Sequence, residues 1–267
     1  MNELINQVTQ LLNNKTIDVF IGYEKGSADR TRALFARNAE QANKLIFNNS
    51  TTSNLAGYLL KPEIKKLGRI GILASVAALR SILQLAAENQ IKDQELLVLS
   101  PDANGSFIEL SDFHAIETHL EKADIQLTPD EKDQVDRLLA MTVQERREFW
   151  DKEFEKCVKC YACRAACPMC YCTRCTTEVN QPQWIPVASH EIGNLEYHLM
   201  RAMHLAGRCV NCGECAKACP MDIPLNLLTY TLIEPIHATF GAVAGMKADA
   251  VYALSTYKPE DKENFIL

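Results

Sequence analysis

Two stretches of this 267-residue chain carry the same spacing of thiols. Cys157-Val-Lys-Cys160-Tyr-Ala-Cys163-Arg-Ala-Ala-Cys167-Pro168 reads C-x2-C-x2-C-x3-C-P, and Cys209-Val-Asn-Cys212-Gly-Glu-Cys215-Ala-Lys-Ala-Cys219-Pro220 repeats it without deviation. Three cysteines at steps of three wrap a tight loop around one face of a cubic 4Fe-4S cluster, while the fourth, on the following helical turn, points to the other cluster. The predicted ligation is therefore crossed. Cys157, Cys160, Cys163 and Cys219 are assigned to one cluster, and Cys209, Cys212, Cys215 and Cys167 to the second. Pro168 and Pro220 end the turn that carries each fourth thiol, and Ala162, Ala165, Ala166 and Gly213 leave room for backbone amides to approach inorganic sulfide. C-x2-C pairs also build zinc sites, which makes a zinc-stabilised interaction module a rival reading. Zinc usually pairs two such knuckles, however, whereas a third cysteine and a fourth followed by proline, twice over, is specific to ferredoxins. A cluster with four thiolates has no open iron for substrate, so the implied chemistry is outer-sphere transfer of single electrons, with no catalytic residue on this chain.

Between the two copies lie Cys170, Cys172 and Cys175, which a plain two-cluster ferredoxin does not need. Three readings stand for them: a third metal centre completed by His190, His198, His204 or a partner residue; a redox dithiol formed by Cys172 and Cys175; or reduced thiols packed near the clusters. His198 and His204, six apart, share a helical face poorly, and His190 near a loop reads as a cap or surface residue.

All eleven cysteines fall between Cys157 and Cys219, an odd number confined to one segment of a long chain. That is not the pattern of a disulfide framework, which belongs to small secreted domains. Met1 to Ile5 carries an acid before any base, so no basic secretory leader is read there, and the thiols are expected to remain in a reducing cytoplasm. The most apolar stretch, Ile223 to Met246, is interrupted by Pro224, Glu234, Pro235 and His237, so no membrane span is expected. With 28 basic against 34 acidic side chains, the net charge of -6 argues against a nucleic-acid partner. Residues 157–220 alone are net basic, six against four, which suits an anionic cofactor.

The elements around this segment divide the chain. Ile17 to Glu24 reads as a strand, with Thr31 to Ala36 as its hairpin partner. Asn38 begins a short helix, and the polar run Asn48 to Asn54 supplies caps for a helix through Leu60. Arg69 to Leu73 and Glu95 to Ser100 read as strands flanking a helix that carries Val76, Leu79, Ile82, Leu83 and Leu85. Strand–helix–strand order predicts an α/β domain over 1–125. Helices from Pro129 and over Val143 to Lys156, the latter bearing Phe149, Trp150 and Phe154, form a connector over 126–156. A helical two-cluster module follows over 157–240, with helical patterns at Asn194 to Ala206 and Leu225 to Phe240, and 241–267 is a tail. The fold class expected is α+β or α/β, with a helical ferredoxin-like module appended.

The runs Lys156 to Cys172 and His204 to Leu225 resemble the dicluster ferredoxin proteins related to coenzyme F420 hydrogenase and dehydrogenase beta subunits, which include formate dehydrogenase beta-like proteins of heterodisulfide reductase-type complexes. Weaker similarity extends through Gly22 to Gly26, Asn54 to Leu60 and Lys66 to Gln90, and downstream at Pro259 to Phe265. The resemblance implies an iron–sulfur electron-transfer subunit of an oxidoreductase complex, whose partners would be a hydrogenase, a formate dehydrogenase or a heterodisulfide reductase-like flavoprotein. In flavin-bearing relatives the α/β domain passes electrons between a two-electron carrier and the clusters. Those relatives carry a Cys-Asp pair just before the residues matching Arg80-Ser81, where this chain reads Ala77-Ala78-Leu79. The departure weighs against FAD, and no glycine-rich phosphate loop replaces it. A flavin-dependent oxidoreductase subunit remains the second reading, with Thr51 to Asn54 serving as a phosphate site or, more simply, as a helix cap.

Overall fold

A computed structural model describes residues 2–251 apart from Asp29, Asn49, Ser50, Thr52, Ala103, Asn180 and Gln181. The downstream similarity at Pro259 to Phe265, and most of the tail, lie outside the described residues. An amphipathic helix that the sequence reading did not anticipate, α1 (Asn2–Asn13), comes first and buries Leu4, Val8 and Leu12. β1 (Val19–Lys25) is buried along its first five residues, the continuous apolar run of a strand covered on both faces. β2 (Thr31–Ala36) folds back antiparallel on it, with Phe20 opposite Ala36. α2 (Ala39–Ala42) follows, capped by the side chain of Asn38.

The helix expected through Leu60 is a 3-10 turn over Leu55–Tyr58, followed by the short α3 (Pro62–Lys65). Pro62 sets the start of α3 and disfavours helical backbone at the residue before it, so the two turns do not merge. β3 (Ile70–Leu73) lies parallel to β1, and α4 (Val76–Ala87) crosses over to β4 (Leu96–Pro101), parallel to β3. β5 (Phe107–Leu110) closes the sheet antiparallel to β4, giving the order β2-β1-β3-β4-β5. The sheet is mixed, and the fold is α+β. α5 (Phe113–Leu120) then packs against α4.

α6 (Pro129–Ala140) and α7 (Val143–Glu155) each begin with a threonine–glutamate capping box, at Thr128/Glu131 and Thr142/Glu145. Their apolar faces carry Val135, Leu138, Trp150 and Phe154 into a second core, which also contains Cys157, Cys163, Tyr197, Ile223, Leu225 and Tyr230. The helices read as a connector are thus part of the packing around the cysteines. The thiol segments hold α8 (Ala162–Ala165) and α10 (Glu214–Lys217), with α9 (Glu191–Leu205) between them. The helical pattern at 225–240 is realised as two helices, α11 (Leu225–Tyr230) and α12 (Ile233–Phe240). Pro235 accounts for the break: it has no N–H for the carbonyl of Thr231, and its ring crowds that carbonyl. Among the described residues no helix is long and apolar enough to cross a membrane.

Candidate metal centre

The two copies of the cysteine motif fold alike at the backbone. Lys159 and Tyr161 have φ of 49° and 59°, and the matching Asn211 and Gly213 have 61° and 70°. Left-handed residues at these positions turn successive amides toward the inside of each loop, making a concavity that favours an anion. Lys159 N donates to Cys157 Sγ at 3.4 Å, so an amide already faces sulfur there. Of the three side-chain-bearing residues in this set, Tyr161 is held by an edge-on contact with Tyr197, ring centroids 5.3 Å apart; Gly213 meets the same requirement as Tyr161 with no side chain.

Cys157, Cys160 and Cys163 line one cavity together with Cys219, from the other motif copy, 56 residues beyond Cys163 (219 − 163). Ile223, Leu225, Tyr197 and His198 supply the rest of its wall. Burial pushes the Cys157 and Cys163 thiols up, so both are neutral until a metal displaces the proton. Burial, reinforced by the charge of Cys209, pushes Cys212 up to about 12, and burial, against the pull of Arg201, pushes Cys215 up to about 11. Cys167 and Cys215 are both within electrostatic range of Arg201. Among the described residues no three His, Cys, Asp or Glu side chains converge on a point that one ion could occupy. A donor set of soft thiolates spread around a cavity fits an iron–sulfur cluster, which accepts ligands at its corners.

Arg201 and Tyr197 beside the thiols are not singled out in the sequence, and His198 and His190 are read there only as candidate ligands or, for His190, a cap. Arg201 is 7% exposed, donates from Nη2 to Cys163 O at 3.1 Å, and leaves its Nε without a partner. Burial opposes its charge, but Cys163, Cys170, Cys167 and Cys215 around it outweigh that and hold the guanidinium protonated. His198 stacks on Phe154 at 4.6 Å and places Nε2 3.3 Å from Cys157 Sγ, while Nδ1 is buried without a partner. Burial, with Arg201 and Lys159 nearby, lowers its pKa to about 3. Tyr197 OH lies 3.7 Å from Cys163 Sγ. Arg201 and His198 share one face of the helical pattern with Asn194, Tyr197, Ala202 and Leu205, and that shared face is the signal in the sequence. His190 is the N-cap of α9, accepting from Gly193 N at 3.3 Å.

Residues 156–224 match the 4Fe-4S dicluster domain family. The dicluster domain therefore covers both motif copies, the segment between them and α9. The chain is also similar to the F420-dependent formate dehydrogenase subunit beta of Methanocaldococcus jannaschii, 36% identical over 102 residues, which are 37% of this chain and 26% of that protein. With the F420-dependent formate dehydrogenase 1 subunit beta of Methanococcus maripaludis it shares 29% over 107 residues, 40% of this chain and 27% of the relative. The chain thus matches about a quarter of the length of each.

The α/β layer meets the dicluster domain through side chains. Arg80 on α4 donates to Val210 O at 3.0 Å, inside the second motif, and to Ala244 O at 2.8 Å. Glu88 at the end of α4 accepts from both Arg208 and Tyr171, the latter at 2.6 Å. Asn54 caps the 3-10 turn through Ala56 N at 3.1 Å, and its Nδ2 donates to Ser81 Oγ at 2.9 Å. Thr51 bonds within its own loop, to Asn48. These polar groups are engaged by the fold, as the helix-cap reading required.

Proposed function

We propose that this chain is an iron–sulfur electron-transfer subunit of an oxidoreductase complex, relaying single electrons through two 4Fe-4S clusters held by Cys157, Cys160, Cys163 and Cys219, and by Cys209, Cys212, Cys215 and Cys167. The observation that carries the reading is the cavity in which three thiols of the first motif meet the last thiol of the second. Bound clusters supply one-electron acceptors. The chain's own contribution is to fix eight thiols, to turn the Lys159 amide toward sulfur, to hold Tyr161, Asn211 and Gly213 left-handed at the neighbouring and matching positions, and to set Arg201 between ligands of both sets. Residues 1–125 serve in this reading as a docking layer for a partner, 126–156 as the helices that orient the cluster module at 157–240, and 241–267 as its tail. The relatives' names support a partner of the formate dehydrogenase class; a hydrogenase or a heterodisulfide reductase-like flavoprotein rests on the sequence resemblance alone.

Anaerobic reconstitution followed by iron and sulfide analysis tests the assignment. The eight motif cysteines are expected to account for about eight iron, four per cluster. Cys219→Ser is expected to abolish the cluster of the first motif and leave that of the second, a loss of about four iron that low-temperature EPR of the reduced protein assigns. Colourless protein holding zinc without sulfide, or fewer than about six iron, would refute the proposal.

A further inference from the structure

Cys170, Cys172 and Cys175 are not used by the two clusters, yet all three line one cavity of about 900 Å³, and His204 lines it with them. Of the three histidines open as a fourth ligand, His190 is spent on a helix cap and His198 faces Cys157, on the side of the first cavity. We propose that Cys170, Cys172, Cys175 and His204 bind a third iron–sulfur centre.

The segment is built as a site, not left as a loose loop. Arg164 donates to both carboxylate oxygens of Glu178, at 2.8 and 2.7 Å, and to Cys172 O at 2.7 Å, tying the two ends of the cysteine loop together. An outer-sphere hydrogen bond of the kind that holds a ligand's geometry and tunes its basicity is already present, with Thr177 Oγ1 2.9 Å from Cys175 Sγ, and the charge of Arg201 acts on the thiol of Cys170. Arg164 and Arg208 in the wall are paired with Glu178 and Glu88, and Arg201 adds one positive charge with no carboxylate against it among the described residues, an environment suited to an anionic thiolate-ligated centre. Three thiols and one imidazole in one lining are a soft donor set, the kind that iron–sulfur centres take. The backbone N–H of Cys170 donates to the carbonyl of Cys167, a ligand assigned to the second cluster, at 3.1 Å, and Cys172 is exposed. A centre here would join the surface to the two-cluster relay. The inference rests on the two-cluster reading only for that neighbour.

The full-length protein reconstituted anaerobically with iron and sulfide is expected to hold about twelve iron, against about eight in Cys172→Ser/Cys175→Ser and in His204→Ala. Equal iron in all three proteins, near eight, would overturn the third centre while leaving the two clusters standing. Unchanged iron in Cys209→Ser/Cys215→Ser would instead overturn the two-cluster reading. Zinc in place of the additional iron would also overturn the proposal. Alkylation followed by mass spectrometry is independent of any variant's folding: reconstitution is expected to slow labelling of Cys172 by at least about tenfold, and labelling at the same rate before and after reconstitution would refute ligation.

Discussion

Arg201 is the side chain whose chemistry reaches furthest beyond its own contacts. It is buried among thiols drawn from both motif copies, so its charge acts on either cluster. A unit charge about 8 Å from a redox centre, at an effective dielectric constant of about 20, contributes about 2 kcal/mol, or roughly 90 mV for one electron. Positive charge stabilises the reduced, more negative cluster. Arg201→Met, which keeps much of the volume, is therefore expected to lower at least one cluster potential by roughly 90 mV with iron content unchanged, as followed by EPR-monitored redox titration. An unchanged or raised potential would show that Arg201 acts only through packing. Thiol spacing alone suggests the assignment of the eight cysteines, because a period of three is what such a cofactor imposes. His198 is named in the sequence only as a candidate ligand, and Arg201 not at all, because a charged residue on a helix face reads as solvated until the helix is placed against its neighbours.

At the scale of elements, strands and helices with strong periodicity came through in the sequence: β1, β3, α4, β4, α7 and α9 all lie within a few residues of where their patterns indicate. The misreadings occur where a local rule competes with the pattern. Apolar spacing runs on through 225–240, yet Pro235 divides the stretch. The polar caps before Leu55 start a 3-10 turn that Lys61 and Pro62 stop. Gly245 is a third case, since nothing marks it in the sequence. Its φ is +72°, its N–H donates to Gln84 Oε1 at 2.9 Å, and a Cβ there would stand 2.2 Å from Arg80 O. Backbone against backbone has no flexible side chain to give way. Gly245→Ala is expected to cost about 2 kcal/mol or more in denaturant unfolding; a cost under about 0.5 kcal/mol would mean that the segment after α12 does not rest on α4.

Across the whole molecule, the α/β layer and the cluster module are coupled through Glu88 and Arg80 on α4. Burial alone would raise the Glu88 carboxyl, but hydrogen bonds from Arg208 and Tyr171 outweigh it and hold the group below the usual carboxylate range. A depressed folded-state pKa contributes stability that is fully present above the unfolded value and is lost as pH falls through the folded one. The wild type is therefore expected to lose stability progressively as pH drops below about 4.5, with this pair contributing to the loss. Glu88→Gln is expected to be less stable by about 1–3 kcal/mol near neutrality, where Arg208 loses its partner, and to show a shallower acid dependence in thermal melts. Parallel pH profiles for the two proteins would remove Glu88 from the coupling. None of this was readable beforehand, because it depends on residues 120 positions apart, Glu88 and Arg208 (208 − 88).

The shared cavity of the first motif also bears on how the protein is made. Three of its thiols emerge early in synthesis, while Cys219, Ile223 and Leu225, which complete the wall, follow only after α9 and the second motif. A nascent chain stopped before Cys219 has the thiols of a metal site but not its enclosure. Until the last wall arrives, Cys157 and Cys163, which the folded protein buries, lack part of their cover, while Cys160 is exposed even in the finished fold.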